Sequence, residues 1–232
     1  MGKTAFVQTT AYNAATELGK NVAFFSLEMS AKKFAMRYCK MFPELKLSDR
    51  FNEATRRFCG AEKPFEDVPI FIDETPALSI DEFQKKAYSL KIHQNIDIII
   101  VDYLQLMMGT YETRGNREME VDSIVRALKA MAMKLDIPII ATSHLNRSLE
   151  ARTGKRPRLS DFRESSAIEE DSDIIAFIHR PEYFGFTEDD MGEPVKELAE
   201  IIVAKNRNGE TGTAKLRFQK ELAKFSNFEN ND

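Results

Sequence analysis

Short runs of β-branched and aromatic residues alternate with longer helical stretches over most of this chain, and this alternation restricts the fold more than any other feature. The strongest run is residues 96–102, where Ile98, Ile99, Ile100 and Val101 follow one another directly. A strand without polar alternation suits a sheet that is covered on both faces, as parallel strands joined by helices are. The sequence therefore predicts an α/β fold in which helices flank a mostly parallel central sheet.

The same periodicity predicts the individual elements. Helices are predicted at residues 4–18, from Ser30 to residue 41, from Ser79 onward and at 118–135, and buried strands at 22–26, 70–73, 96–102, 137–142 and 174–178. Ser30 is suited to cap a helix N-terminus, because a serine hydroxyl accepts a hydrogen bond from a backbone N–H of the first turn. Ser79 begins a helix with Asp81 and Glu82 in its first turn, where acidic side chains suit the positive end of the helix dipole. Three connecting segments are predicted: a short helix and loop at 44–64, a polar loop at 109–117 and a polar insertion at 182–193.

The carboxyl end is predicted to form three short strands, at residues 199–204, 213–218 and about 224–228. Asn208-Gly209 lies between the first two and is a turn signal, which favours antiparallel strands there. No internal repeat, low-complexity tract or linker interrupts the chain. A single domain spanning residues 1–232 is therefore predicted.

The composition is that of a globular protein, with 43% hydrophobic and 30% charged residues. No apolar run is long enough to span a bilayer, and the first residues lack the pattern of a signal peptide. The two cysteines have no metal-binding or secretory spacing, so we interpret them as reduced thiols of a cytoplasmic protein. The formal net charge of -4 leaves only a local basic region as a candidate nucleic-acid site.

Three short features indicate a nucleotide site. Gly2-Lys3-Thr4, followed by a predicted helix, matches the last part of the phosphate-binding loop G-x-x-x-x-G-K-[ST]. Asp102 ends an apolar strand, where a carboxylate helps to hold Mg²⁺ in such proteins. Glu28 follows the strand 22–26 and is a candidate general base. Each feature alone also fits a helix start, a strand end or a solvated acid, and their order along the chain favours the nucleotide site.

Several longer strings resemble the DnaB-type replicative helicases, a RecA-like branch of the P-loop NTPases. These strings are MGKTAFV, VAFFSLEMS, IIIVDYLQLM, RPRLSDFRESSAIEEDSDIIAF, KNRNGETGT and LRFQ, and the resemblance covers nearly the whole chain, with the strings in order. The resemblance implies a RecA-like fold and ATP-driven 5′-to-3′ unwinding of DNA at replication forks. It also implies a homo-hexameric ring around single-stranded DNA, with primase and a helicase loader as partners of the intact protein.

The resemblance also implies roles for individual residues. Gly2, Lys3 and Thr4 would bind the ATP phosphates, Thr4 and Asp102 would hold Mg²⁺, and Glu28 would be the catalytic glutamate. Arg207 would be an arginine finger that acts on the neighbouring subunit's nucleotide, with Lys205 as its companion. The stretch 161–166 would be the loop that grips the DNA backbone, and the predicted contacts are Arg158, Arg163, Glu164 and Ser166. A group of basic residues in this region suits phosphate contacts: Arg147, Arg152, Lys155, Arg156, Arg158 and Arg163.

The chain departs from the family pattern at three points. His144 stands where the family usually has a glutamine that senses the γ-phosphate, and a histidine's protonation varies near neutral pH. Ser166 replaces a glycine of the DNA loop. The first half of the phosphate-binding loop, the strand before it and an amino-terminal domain are expected upstream of Met1, so we interpret the sequence as a fragment. Two alternatives stay open: an impaired remnant that binds only DNA or intact subunits, and a related RecA-type recombinase or clock-type ATPase.

Overall fold

A computed structural model of the chain describes residues 2–47, 64–113, 115–162, 166–189 and 191–228. The chain divides into two compact units. Residues Val7–His144 form the first, here called the parallel-sheet unit, and Met1–Phe6 with Leu145–Asp232 form the second, the antiparallel-sheet unit. The boundary falls within the first helix, α1 (Lys3–Thr16). The single domain predicted for residues 1–232 stays a prediction.

The parallel-sheet unit is built on four parallel strands in the order β2-β1-β3-β4. The strands are β1 (Val22–Ser26), β2 (Ile70–Asp73), β3 (Ile98–Asp102) and β4 (Ile139–Ala141). Every residue of β1 is buried, and so are four of the five residues of β3. This burial is the physical reason for their unbroken apolar sequences, because helices exclude water from both faces of such a sheet.

Three further helices belong to this unit: α2 (Ala31–Met41), α3 (Ile80–Gln94) and α4 (Arg117–Leu135). The cap predicted at Ser30 is confirmed, since Ser30 Oγ accepts from the Lys33 N–H. Ser79 caps α3 in the same way, through the Glu82 N–H. Asn116 caps α4 in the same way. The core is rich in aromatic side chains that exclude solvent almost completely, among them Phe24, Phe25, Phe34, Tyr38, Phe42, Phe65 and Phe83.

The antiparallel-sheet unit contains a second four-stranded sheet, in the order β5-β6-β7-β8. Its strands are β5 (Ile174–His179), β6 (Leu198–Asn206), β7 (Gly212–Gln219) and β8 (Lys224–Ser226), and a short helix, α5 (Ser166–Asp171), precedes β5. The predicted Asn208-Gly209 turn joins β6 to β7, which pair antiparallel as expected. The core of this unit is formed by Ala5, Ala199, Ile201, Phe218 and Phe225.

The prediction of helices around a mostly parallel sheet with antiparallel strands at the carboxyl end is confirmed. Several predicted bounds were wrong by one or two residues: α1 ends at Thr16 rather than at 18, β3 begins at Ile98 rather than at 96, and β4 spans only Ile139–Ala141. The short helix predicted within 44–64 falls largely outside the described residues. None of the helices in the described ranges combines the length and apolarity that crossing a membrane requires.

Candidate functional site

Two acidic side chains predicted to act on a nucleotide lie at the carboxyl edge of the parallel sheet. Asp102 ends β3 opposite Ser26 of the neighbouring strand, and Glu28 follows that strand by two residues. The Leu27 N–H donates to the Asp102 carbonyl oxygen at 3.0 Å, and this bond connects the residue after β1 to the end of β3. Asp102 is only 4% exposed, whereas Glu28 is exposed. Parallel strands bring their carboxyl ends to one edge, and ligands of open α/β sheets bind there.

Thr142 holds the carboxylate of Asp102. Its hydroxyl donates to Asp102 Oδ1 at 2.5 Å, and the threonine is itself buried. The Thr142 N–H donates to the Val101 carbonyl and the Leu104 N–H to the Thr142 carbonyl, so the backbone is fixed on both sides. A hydrogen bond to an ionised carboxylate is stronger than one between neutral groups. Thr142 therefore sets the orientation of Asp102, a role that the sequence analysis did not assign.

The segment after β4 is connected to the segment after β3 through Gln105. Its Nε2 donates to Ser143 Oγ at 2.8 Å, and its Oε1 accepts from the His144 N–H at 3.3 Å. The His144 ring is exposed and lies edge-on to Tyr103, with 4.3 Å between ring centroids. The predicted sensor residue is therefore placed at the same sheet edge as Asp102. Gln105 is a further residue that sequence reasoning missed.

Arg37 brings a positive charge to the two carboxylates. Burial lowers the pKa of this guanidinium, while the negative charges of Asp102 and Glu28 act in the opposite direction. Arg37 lies three residues after Phe34 and four before Met41, both buried, so it borders the apolar face of α2. An arginine at helical spacing beside apolar residues is a sequence signal that could have identified it.

The antiparallel-sheet unit contains the start of α1, where Gly2, Lys3 and Thr4 lie. Gly2 has φ +94°, in the region that favours glycine, and a Cβ there would lie 3.2 Å from Phe225 Cζ. The helix that follows has fourteen residues and no acidic side chain in its first turn. The N–H groups and the dipole of such a terminus favour an anion. These observations fit phosphate binding by residues 2–4.

A stack of a guanidinium on an aromatic ring lies beside Gly2 in the same unit. The Arg180 guanidinium carbon is 3.7 Å from the centroid of the Phe218 ring, and Arg180 is only 8% exposed. Phe218 and Phe225 meet edge to face, with ring centroids 4.9 Å apart. Burial lowers the pKa of Arg180, against the effect of Glu182. Arg180 and Phe218 are both buried, so this stack stabilises the core of the unit beside Gly2. Sequence reasoning missed this pair.

Lys205 and Arg207, the predicted finger residues, bind the carboxyl end of α5 in their own unit. Lys205 Nζ donates to the carbonyls of Glu169 and Glu170, the second at 3.0 Å. Arg207 Nη2 donates to the Glu170 carbonyl at 2.9 Å, and its Nη1 lies 3.5 Å from Asp173 Oδ1. Basic side chains commonly satisfy the last carbonyls of a helix in this way. A contact with a neighbouring subunit would require both side chains to leave these carbonyls.

The predicted DNA-contact residues are described only in part. Arg158 and Ser166 are exposed, while Arg163 and Glu164 lie outside the described residues. Lys155 is engaged within the protein, since its Nζ lies 5.3 Å from the centroid of the Phe184 ring. Arg156 is also engaged, because it pairs with Glu200 at 2.5 Å. The basic segment is therefore not a uniform row of solvated cations.

The described residues contain no group of three or more His, Cys, Asp or Glu side chains that could hold a metal ion. A magnesium site of the predicted kind needs few protein ligands, because Mg²⁺ keeps several waters and takes oxygen ligands from the nucleotide. Asp102 suits it chemically, with a buried carboxylate oriented by Thr142. Thr4 belongs to the other unit, so the shared Mg²⁺ site stays a prediction.

The predicted site residues thus divide between the two units. Glu28, Asp102 and His144 share the carboxyl edge of the parallel sheet, whereas Gly2, Lys3, Thr4, Lys205 and Arg207 belong to the antiparallel-sheet unit.

Comparison with known proteins gives concordant matches. The family model described as DnaB-like helicase C terminal domain matches residues 1–227. The chain is 41% identical to the replicative DNA helicase DnaB of Geobacillus stearothermophilus, over 99% of this chain and 50% of the relative. It is 40% identical to the replicative DNA helicase DnaC of Bacillus subtilis (strain 168), with the same coverage. The chain therefore spans about half the length of these curated relatives.

Solved structures agree with this likeness. A DnaB-like replicative helicase, studied with its interactions with primase, superposes with a TM-score of 0.80 at 32% identity, and the match covers 99% of this chain and 55% of that one. A second solved structure, that of an isolated ATPase domain, superposes with a TM-score of 0.79 at 32% identity, covering 98% of this chain and 81% of that one. The fold of the chain is thus that of these helicase ATPase domains.

Proposed function

Because the chain belongs to the DnaB-like helicase C-terminal domain family, we propose that it is the ATP-driven motor domain of a replicative DNA helicase. The proposed activity is 5′-to-3′ translocation on single-stranded DNA with unwinding of the duplex. The observation that carries the proposal is the sheet edge where Asp102, fixed by Thr142, lies next to the strand end that carries Glu28. This arrangement supports nucleotide hydrolysis, which a DNA-binding domain alone does not need.

Lys3 and Thr4 are proposed to bind the ATP phosphates, together with the backbone N–H groups that follow Gly2. The amino end of α1 supports this role, because its partial positive charge and its N–H donors favour an anion. Mg²⁺, held by Thr4 and Asp102, would neutralise charge on the phosphates.

Glu28 is proposed to take the proton from the attacking water. Its exposure supports this role, since a general base must reach a solvent molecule. Arg37 attracts the carboxylates of both Glu28 and Asp102 and is proposed to orient Glu28. His144 is proposed to sense the γ-phosphate in place of the family's glutamine, with its backbone held by Gln105.

Lys205 and Arg207 are proposed to act on the nucleotide of the neighbouring subunit in a homo-hexameric ring. The support is their place at the end of β6 and just after it, where their hydrogen bonds with α5 carbonyls lie at the surface of the unit. Arg158, Arg163, Glu164 and Ser166 are proposed to contact the backbone of single-stranded DNA. Primase and a helicase loader are the proposed partners of the intact protein, which we place in the cytoplasm.

The test is DNA-stimulated ATP hydrolysis. This chain is compared with a chimaera in which the upstream half of the Geobacillus relative is fused before Gly2, each with and without oligodeoxythymidine. We expect the chimaera to hydrolyse ATP faster when DNA is present. Glu28→Gln is expected to reduce its turnover by about a hundredfold or more, because the general base is lost. The matched control is Glu17→Gln, an exposed acid of the same unit.

Hydrolysis that is unaffected by Glu28→Gln would contradict the assigned base. Absence of hydrolysis in both chains, with oligodeoxythymidine binding retained, would contradict the motor function. The chain would then be a DNA-binding remnant of a helicase.

A further inference from the structure

The basic segment between β4 and α5 is folded around a buried acid. Two 3₁₀ turns, Arg147–Ala151 and Leu159–Asp161, lie at its ends. Asp161 closes the second turn and is only 3% exposed. In a segment dominated by arginine and lysine, a buried carboxylate is unexpected unless a specific partner compensates for its desolvation.

Asp161 binds three separate points of this segment. Its Oδ1 accepts from Arg152 Nη2, and its Oδ2 accepts from the Arg158 backbone N–H at 2.8 Å. Its own carbonyl oxygen accepts from the Asn146 N–H at 3.2 Å. Arg152 is 31% exposed, so the pair lies at the boundary between core and solvent. One aspartate therefore determines the path of the backbone from Asn146 to Arg158.

Other cations hold the middle of the segment in place. Arg156 contacts strand residues through Glu200 and, at 3.3 Å, Thr213 Oγ1. Lys155 lies over the Phe184 ring, as described above. In contrast, the Arg158 side chain is exposed although its backbone is fixed by Asp161. The segment thus combines fixed cations with at least one that is presented to solvent.

We propose that Asp161 and Arg152 form a positioning pair, which holds the segment so that Arg158 is presented to the phosphates of single-stranded DNA. This inference rests on the proposed function. Asp161 itself does not contact DNA. Removal of the Asp161 carboxylate should therefore weaken DNA binding. Removal of a solvated acid near DNA has the opposite effect, because such an acid repels phosphate.

The test measures binding of fluorescent oligodeoxythymidine to the 232-residue chain by anisotropy at several salt concentrations. Asp161→Asn keeps an acceptor for the Arg158 N–H but removes the ion pair, and the partly exposed Arg152 can be solvated, so the fold is retained. We expect about fivefold weaker binding, equivalent to about 1 kcal/mol. The control Glu150→Gln removes an exposed acid of the same segment and is expected to leave binding unchanged or slightly stronger.

A double-mutant cycle identifies the residue that is positioned. Arg158→Gln is expected to weaken binding and to reduce the salt dependence by about one phosphate contact. Asp161→Asn should have little further effect in that background, because the cation it positions is gone. Trypsin cleavage at Lys155 in the folded protein should be about threefold faster in Asp161→Asn, since the segment opens more often.

Stronger binding by Asp161→Asn, or equal effects of Asp161→Asn with and without Arg158, would overturn the inference while leaving DNA binding intact. Failure of the wild-type chain to bind oligodeoxythymidine, when the chimaera also fails, would overturn the proposed function together with it. Unchanged trypsin cleavage in Asp161→Asn would show that the pair does not hold the segment and would also overturn the inference.

Discussion

The side-chain hydrogen bond from Thr142 to Asp102 joins the ends of two adjacent strands, in addition to the backbone bonds of Thr142. Thr142→Val keeps the shape of the side chain but removes the hydroxyl donor. The buried carboxylate then loses a partner, and we expect the free energy of unfolding to fall by about 2 kcal/mol. Urea denaturation measures this change. Thr142→Ser retains the hydroxyl and is the control, and equal stability of the valine and serine variants would show that the bond contributes little.

His179 is a buried histidine of β5, 4% exposed, whose Nδ1 has no hydrogen-bond partner among the described residues. Burial lowers its pKa below the ordinary 6.5; Glu200 acts against this shift and Arg156 adds to it. The unfolded chain therefore binds a proton more readily than the folded one. Stability must then rise with pH across the window just below 6.5, and it is lost as the pH falls through that window.

His179→Phe tests this dependence. The new ring can keep the stacking with Phe184, whose centroid is 5.9 Å from that of the imidazole. We expect the melting temperature of the wild type to fall relative to that of the variant between about pH 7 and pH 5.5. Replacement of the exposed His93 by Gln should leave the pH dependence of the melting temperature as in the wild type. Parallel pH profiles of the melting temperature for wild type and His179→Phe would contradict the role of His179 in this pH dependence.

Residues that act through short motifs could be predicted from sequence, and residues that act through distant contacts could not. Glu28 and Asp102 each follow an apolar run, and this local signal alone is enough to place them at a sheet edge. Thr142 meets Asp102 across 40 residues of chain, and Arg180 meets Phe218 through the pairing of distant strands. No periodicity encodes such pairings, because they depend on which strands become neighbours.

At the scale of elements, the early starts predicted for β3 and β4 have the same cause. Ile96 and Ile137 are buried, at 0% and 7% exposure, yet both lie outside the strands that they precede. Apolar periodicity reports burial rather than ladder hydrogen bonds, so it extends a predicted strand into buried connecting residues. The order of the strands in the two sheets was not predictable either, since it depends on long-range pairing.

An ion pair joins the end of β2 to α3. Lys86 Nζ lies 2.6 Å from Asp73 Oδ2, and Asp73 is 1% exposed. Lys86→Met leaves this buried carboxylate without its cation, so we expect the free energy of unfolding to fall by about 3 kcal/mol. Chemical denaturation measures the loss. The neighbouring Lys85 is exposed, and Lys85→Met is expected to change stability by less than about 0.5 kcal/mol. Equal effects of the two substitutions would contradict the importance of the pair.

At the scale of the whole molecule, the distribution of charge matters more than its sum. The formal net charge is -4, yet basic side chains collect in the segment before α5 and at the end of β6. In the first region some of them fix the backbone, and in the second they cap a helix. A net negative chain can therefore bind polyanions locally, because phosphate recognition depends on the positions of a few cations.

The proposed ring places Glu28 and Arg207 of different subunits at each nucleotide, and this arrangement can be tested by mixing subunits of the chimaera. Glu28→Gln and Arg207→Ala are each expected to abolish hydrolysis, because every site of a uniform ring lacks one group. In rings assembled from equal amounts of both variants, about a quarter of the interfaces combine an intact Glu28 with a neighbour's intact Arg207, as head-to-tail contacts require. We therefore expect about a quarter of wild-type turnover after mixing. A mixture as inactive as its components would contradict the action of Arg207 on a neighbouring subunit's nucleotide.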